Sequence, residues 1–227
     1  MFDPDFFQTM YLTFILAVVT TLILLPIGIV AGNYLAFSKG WFKTILETLI
    51  WMPLILPPTV LGFYLLLAFS PRFAFGEFLQ NVLGIKLVFS FWGLVLGSVI
   101  FSLPFMVNPI KSALISLPIS LKEASYTLGK GKASTLFFVL LPNIKPSILM
   151  AMVTTFAHTI GEFGVVMMIG GDIAGETRVA SIAIYTQAEA TNYSLANQYA
   201  LSLCVVSFAL LFAVIFMNRK TGSKGVI

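Results

Sequence analysis

The sequence predicts an all-α membrane protein of five transmembrane helices, N-terminus outside and C-terminus inside, with a short helix in one cytoplasmic loop. Three observations carry this expectation. Of the 227 residues, 59% are hydrophobic and 10% charged, whereas a soluble domain is about half apolar and about a quarter charged. Uncharged runs long enough for a hydrocarbon core of about 30 Å recur along the chain. The thirteen basic residues fall between those runs. A net charge of +4 dispersed over loops is not the footprint of a nucleic-acid-binding protein. A lone cysteine, Cys204, offers neither a disulfide nor a metal site. The first ten residues carry two acids and no base, unlike the start of a cleaved signal peptide, so the first apolar run is expected to remain as a span.

The expected spans are residues 8–37, 46–70, 87–110, 137–161 and 199–217, in one transmembrane domain covering 1–227, with a loop over 111–136. Pro26, Gly28 and Gly32 interrupt the first span, where neighbouring helices can cover the disturbed backbone. The second contains Pro53, Pro57 and Pro58, which must kink or unwind it because each removes a backbone donor. Such a break either lines a pathway or is a kinked packing helix. Residues 72–86 form a mixed loop that can carry a surface helix, and the third span ends near Pro104 and Pro109. The fourth runs into His158 and Glu162, with glycines at 161, 164, 170 and 171 that suggest helix breaks. Residues 170–190 read as a loop with a short helix, at the surface or re-entrant. With the 111–136 loop inside, ten of the thirteen basic residues lie inside, leaving Arg72, Lys86 and Arg178 outside beside Asp3, Asp5, Asp172, Glu176 and Glu189. The basic tail of Arg219, Lys220 and Lys224 then also lies inside.

Residues 116–142 form a polar, lysine-bearing island. Ser120, Leu121, Lys122 and Glu123 fit a capping box, serine at the N-cap and glutamate reaching back. Gly129 is placed to end the helix as a left-handed residue. The expected helix, 121–128, is too short to be stable alone in water and needs something to dock on. Leu121, Ala124, Ser125 and Leu128 share one face, small enough at Ala124 and Ser125 for close approach. This weak apolar face suits a protein partner better than a lipid surface.

Glu123, Ala124, Gly129, Leu141 and Pro142 resemble the E-A-A…G…L-P signature of ABC-importer permeases, with Ser125 where a second alanine is usual. The resemblance implies that the short helix couples to a groove in a partner ATPase. The string PLILPPTVLGFYLLL, the FSFWG at 89–93 and residues 156–186, with GEFG at 161–164 and I-x-G-E-T-R at 173–178, look like the molybdate branch of these permeases. The sulfate and tungstate branches share parts of the pattern. The implied assembly is a homodimer with two ATPase subunits on the cytoplasmic side and an external oxyanion-binding protein, in the cytoplasmic (inner) membrane. No cofactor is expected on this chain. No G-x-x-x-x-G-K-[ST] run is present, so ATP and Mg belong to the ATPase.

A pathway of neutral donors suits a permease, since a dianion leaves it more easily than a fixed cation, and apart from Lys145 in the fourth the spans hold no Lys or Arg. Candidates for pathway or gate are Pro57, Pro58, Thr59, Ser102, Thr155, Glu162 and Gly164, with Ser98, Thr154 and Thr159 as further hydroxyls. Each hydroxyl could instead bond a carbonyl one turn earlier. Glu162 lies sixteen residues beyond Pro146, roughly 24 Å along a helix, so it is expected near the outer interface. Because a carboxylate would repel an oxyanion, it is expected to organise a gate and cap the backbone around Gly161 and Gly164, not to act as a ligand. His158 lies one turn away, but two groups alone make neither a metal site nor an intramembrane enzyme. A stand-alone channel or secondary transporter would have no need for a capped, partner-seeking helix.

Overall fold

The computed structural model describes residues 4–222, so Asp3 and Lys224 of the expected charge pattern lie outside the described residues. The described chain is helical, without strands. The helices are α1 (Pro4–Phe37), α2 (Trp41–Ile55), α3 (Pro58–Phe69), α4 (Ala74–Leu83), α5 (Phe91–Ser116) and α6 (Ile119–Thr127). They are followed by α7 (Lys132–Thr135), a π-helical turn (Leu136–Leu140), α8 (Leu141–Asn143), α9 (Lys145–Gly161), α10 (Gly164–Gly170), α11 (Ala180–Glu189) and α12 (Tyr193–Gly222).

Three helices among the described residues, within α1, α5 and α12, are long and apolar enough to cross a membrane alone. Two bent pairs bring the number to five if each counts as one span. α2 and α3 meet at 110°. The residue before a proline is driven out of the helical region, and this happens twice in succession. Leu56 has ψ 142° ahead of Pro57, and Pro57 has ψ 132° ahead of Pro58. Pro58 then starts α3, where its missing N–H costs nothing. The expected span 46–70 is therefore a bent pair.

The expected span 137–161 is a bent pair as well: Lys132–Asn143 and Lys145–Gly161 meet at 80° at Ile144, where α9 begins afresh. Pro142 and Pro146 remove two donors around the bend. Asn143 Nδ2 donates to the Val139 carbonyl at 2.7 Å, and the ladder relaxes into the π turn just before Pro142. α5 in turn runs on through Pro104 and Pro109 to Ser116, so the loop begins later than residue 111.

α5 is the central strut, packed against α1, α9 and α10. Glycines set the close approaches. A Cβ at Gly28 would lie 2.4 Å from Met106 Cγ, and one at Gly97 2.9 Å from Val165 Cγ1. Such small-residue contacts let membrane helices gain dispersion energy where no hydrophobic force acts between them. One buried cluster joins Leu24, Met106, Ile110 and Leu114 to Leu136, Leu140 and Ile144; another joins Leu16, Leu94 and Val95 to Val166, Ile169 and Ile182. Lys111 pairs with Glu47 and fixes α2 to the same end of α5.

At Gly62 a Cβ would lie 2.7 Å from Met168 Cβ and 3.0 Å from Val165 Cα, whereas nothing lies within 4 Å at Gly161. Gly62→Val should therefore cost about 1–3 kcal/mol by overpacking α3 on α10. Thermal unfolding in detergent should show a clear drop for Gly62→Val and little change for Gly161→Ala.

Candidate functional site: a cleft at two helix breaks and an exposed short helix

α9 ends at Gly161, and Glu162 (ψ 131°) leaves the helix before α10 resumes at Gly164. Ser181 Oγ on α11 donates to the Glu162 carbonyl at 2.5 Å, covering one backbone group that the break frees. The break meets the other break: a Cβ at Gly164 would lie 2.6 Å from Pro58 Cβ. Only glycine lets the start of α10 rest on the start of α3. Between them lies a cleft of about 510 Å³ whose lining includes Pro58, Thr59, Phe101, His158, Glu162 and Gly164.

Pro58, Thr59, Glu162 and Gly164 are thus brought together as expected, from distant parts of the sequence. Pro57 stands at the neighbouring break, exposed, and is not part of the lining. Ser102 lies behind the cleft, fully buried, its Oγ 2.9 Å from His158 Nδ1 and 3.1 Å from Thr159 Oγ1. Phe105 stacks on the imidazole at 4.0 Å between ring centroids, and Phe101 tilts against it at 4.9 Å. These two rings were not singled out in the sequence, although Phe101 and Phe105 are one turn apart and flank Ser102. Thr155 is buried with no hydrogen-bond partner and is absent from the cleft lining. Thr154 bonds back to Met150 O, and Thr159 bonds back to Thr155 O while also meeting Ser102.

The Glu162 carboxylate bonds no backbone group, so the expected cap around Gly161 and Gly164 does not form. The residue is 4% exposed, and Ser98 on α5 is the hydroxyl beside it. α10 continues for two turns beyond it, to Ile169, whose carbonyl accepts from the Phe89 N–H at 2.9 Å. No group of three or more potential metal ligands occurs among the described residues.

Beyond α10, the 172–178 loop is held by ions. Arg178 Nε donates to Asp172 Oδ1 at 2.5 Å, and its Nη1 lies 3.8 Å from Asp5. The Asp172 hydrogen bond is the main reason the guanidinium pKa rises further above its ordinary value. Asp172 Oδ2 accepts from Thr186, and the Ala180 N–H donates to Thr13 Oγ1, so α11 is fastened to α1. The 170–190 segment is neither a lipid-surface helix nor a free loop: Ala180, Ile182 and Ala183 are buried among α1, α9 and α12.

At the opposite end of α5 lies α6. It begins at Ile119, earlier than expected. Leu117 is extended (ψ 141°) ahead of Pro118, and the proline initiates the helix as N-cap without any side-chain capping bond. Ser120 therefore sits inside the first turn, and the capping box with Glu123 does not form. The C-terminal expectation holds in detail. Gly129 has φ +76°, its N–H donates to Tyr126 O, and the Lys130 N–H donates to Ser125 O at 3.1 Å. This is the Schellman pair of bonds. Ser125 is corrected: it is buried against its own chain, its Oγ 2.9 Å from Thr135 Oγ1, and Leu121 is half buried beside it. The outward side presents Ile119, Glu123, Ala124 and Leu128, the last 80% exposed. Lys122 Nζ lies 3.7 Å over the Phe37 ring, tying α6 to the end of α1. Pro142 is exposed and acts through the bend already described.

A helical membrane scaffold with paired helix breaks at its centre and an exposed, glycine-terminated helix at one end defines a class, the transport permeases. Residues 24–220 match the family described as "Binding-protein-dependent transport system inner membrane component", and the chain belongs to that family. Among curated relatives, it is 40% identical over 209 residues to the molybdenum transport system permease protein ModB of Azotobacter vinelandii, covering 92% of each chain. It is 34% identical to ModB of Escherichia coli (strain K12), covering 92% of this chain and 89% of the relative. The sulfate transport system permease protein CysT of Salmonella typhimurium is 30% identical, over 81% of this chain and 66% of the relative. The fold is shared with a bacterial ABC transporter that imports alginate (TM-score 0.77, 16% identity, 96% of this chain and 80% of that one). It is also shared with the inward-facing MetNI methionine ABC transporter (TM-score 0.70, 17% identity, 97% and 99%).

An unbonded, buried carboxylate costs stability, and an apolar group of similar shape can be neutral or better. Glu162→Met should raise stability by about 1 kcal/mol or more in thermal unfolding. An unchanged or lower midpoint would mean that the carboxylate is bonded in solution.

Proposed function

We propose that this chain is the membrane permease subunit of an ATP-driven importer for molybdate. The observation that carries the reading is the pairing of two features in one chain of this family. One is a short helix closed by Gly129 with an exposed outer side; the other is a broken-helix cleft with Thr59 and His158 in its lining and no Lys or Arg. The molybdenum names of the relatives matched at 40% and 34% identity support the substrate. The sulfate relative is matched at lower identity and over less of its length, which makes sulfate the second reading and tungstate a third.

In this reading the chain has five spans, each bent pair counting as one, with the N-terminus outside and the α6 end inside. It works as a homodimer with the pathway between two copies. Two ATPase subunits bind Ile119, Ala124 and Leu128 on the outward side of α6, and they alone bind ATP and Mg. An external oxyanion-binding protein delivers substrate near the 172–178 loop. The chain itself catalyses no reaction and holds no cofactor.

The same geometry gives a mechanism. When the ATPases close on ATP, α6 moves. The Ser125–Thr135 hydrogen bond carries that movement to the 132–143 arm, and the bend at Ile144 turns it into a tilt of α9. At its far end α9 stops at Glu162, beside Pro58 and Thr59, so a tilt opens or closes the cleft. Thr59 and His158, which line the cleft, offer neutral contacts to a passing tetrahedral dianion.

Gly129→Val puts a β-branched side chain at φ +76°, a strain of about 1–2 kcal/mol at the one residue that closes α6. Reconstituted with its ATPase and binding protein, the variant should lose most molybdate-stimulated ATP hydrolysis and uptake, while Gly131→Ala should keep both. Normal coupling in Gly129→Val would refute the assignment of α6. Radiolabelled molybdate uptake competed by tungstate and by sulfate decides the substrate.

A further inference from the structure

α4 has no part in the mechanism, yet it is a well-defined element. Gly76 is buried so tightly that a Cβ there would lie 2.2 Å from Ser70 O, and Phe73 N–H donates to Ser70 O. The helix ends on Gly84 at φ +66°, with Ile85 N–H donating to Leu79 O at 3.0 Å. Held this way, α4 presents Phe75, Phe78 and Val82 outward at i, i+3 and i+7, each half exposed or more. Glu77 and Gln80 occupy the opposite arc. Arg72 precedes the helix and Lys86 follows it. Both are exposed, and neither forms an ion pair among the described residues. They share the lining of a bay of about 580 Å³ with Ser70 and Gln80, and no acidic residue lines it.

We infer that α4 lies flat in the membrane interface at the end opposite α6, its phenylalanine face in the acyl boundary and Arg72 and Lys86 on lipid phosphates. Position supports this, because short connectors join α4 to α3 and to α5, both part of the membrane scaffold. Chemistry supports it as well. An apolar arc bracketed by unpaired cations matches a headgroup layer above acyl chains. A two-fold contact through the same face would set the Arg72 and Lys86 of one copy near those of the other, with no acidic group of the bay to offset them. α4 would then fix the depth of the scaffold against the bilayer whatever the substrate.

The test uses the full-length chain in nanodiscs containing phosphatidylglycerol, in a Cys204→Ala background, with a nitroxide on Phe78→Cys or, separately, on Glu77→Cys. Oxygen, which concentrates in acyl chains, should exceed a water-soluble nickel chelate as a collider at position 78 by several-fold, and the order should reverse at 77. Adding Arg72→Gln and Lys86→Gln should bring the ratio at 78 towards one. Nickel dominating at 78 would mean that the face looks into water, and shielding from both colliders would mean that a second copy or another protein covers it. Either result overturns the proposal, as does a ratio at 78 indifferent to the loss of both cations.

Discussion

The structure depends on how it covers two interruptions of the helical ladder, at Leu56–Pro58 and at Glu162–Phe163. In a bilayer no water satisfies a freed N–H or C=O, so irregular backbone survives only where protein or a polar cavity receives it. Here the two interruptions are set against each other, Gly164 on Pro58, with the Ser181 hydroxyl on the Glu162 carbonyl. The contact fixes where α3 and α10 cross, which in turn fixes the cleft between them. It also buries a carboxyl group with no backbone donor and no ion partner among the described residues, the kind of local conflict that folds retain at functional positions.

The two ends of the molecule are linked by geometry that a straight helix could not provide. α5 is a strut of 26 residues, while α9, with 17, is a separate segment set at 80° to the arm before it. The bend has a chemical origin: Pro142 and Pro146 take two donors from the ladder, and the Asn143 side chain donates to the Val139 carbonyl. The arm leading to the bend is bonded to α6 through Thr135 and Ser125, so the exposed helix and the bend are connected.

Much of this was legible in the chain. Proline and glycine act locally, so the breaks at 57–58 and 161–164, the left-handed Gly129 and the apolar runs could all be located without tertiary information. The capping box failed for an equally local reason, since Pro118 forces Leu117 extended and starts the helix before Ser120 can serve as its cap. Ser125 was misassigned because a serine on a helix face is compatible with docking outward or bonding inward. Its partner Thr135 lies beyond the glycine turn, and only the fold over Gly129–Gly131 brings the two hydroxyls together.

The sequence by itself determined the solvent and the punctuation: a chain for the bilayer, its apolar segments, its breaks, and a small glycine-closed helix among lysines. These are consequences of transfer free energy and of backbone sterics, both carried by each residue and its immediate neighbours. Only the tertiary structure decided which breaks meet, that His158 is held by Ser102 between two phenylalanines, and that α11 is buried rather than lying on a surface. Those outcomes rest on the packing of residues dozens of positions apart, through contacts whose energy exists only once the helices are side by side.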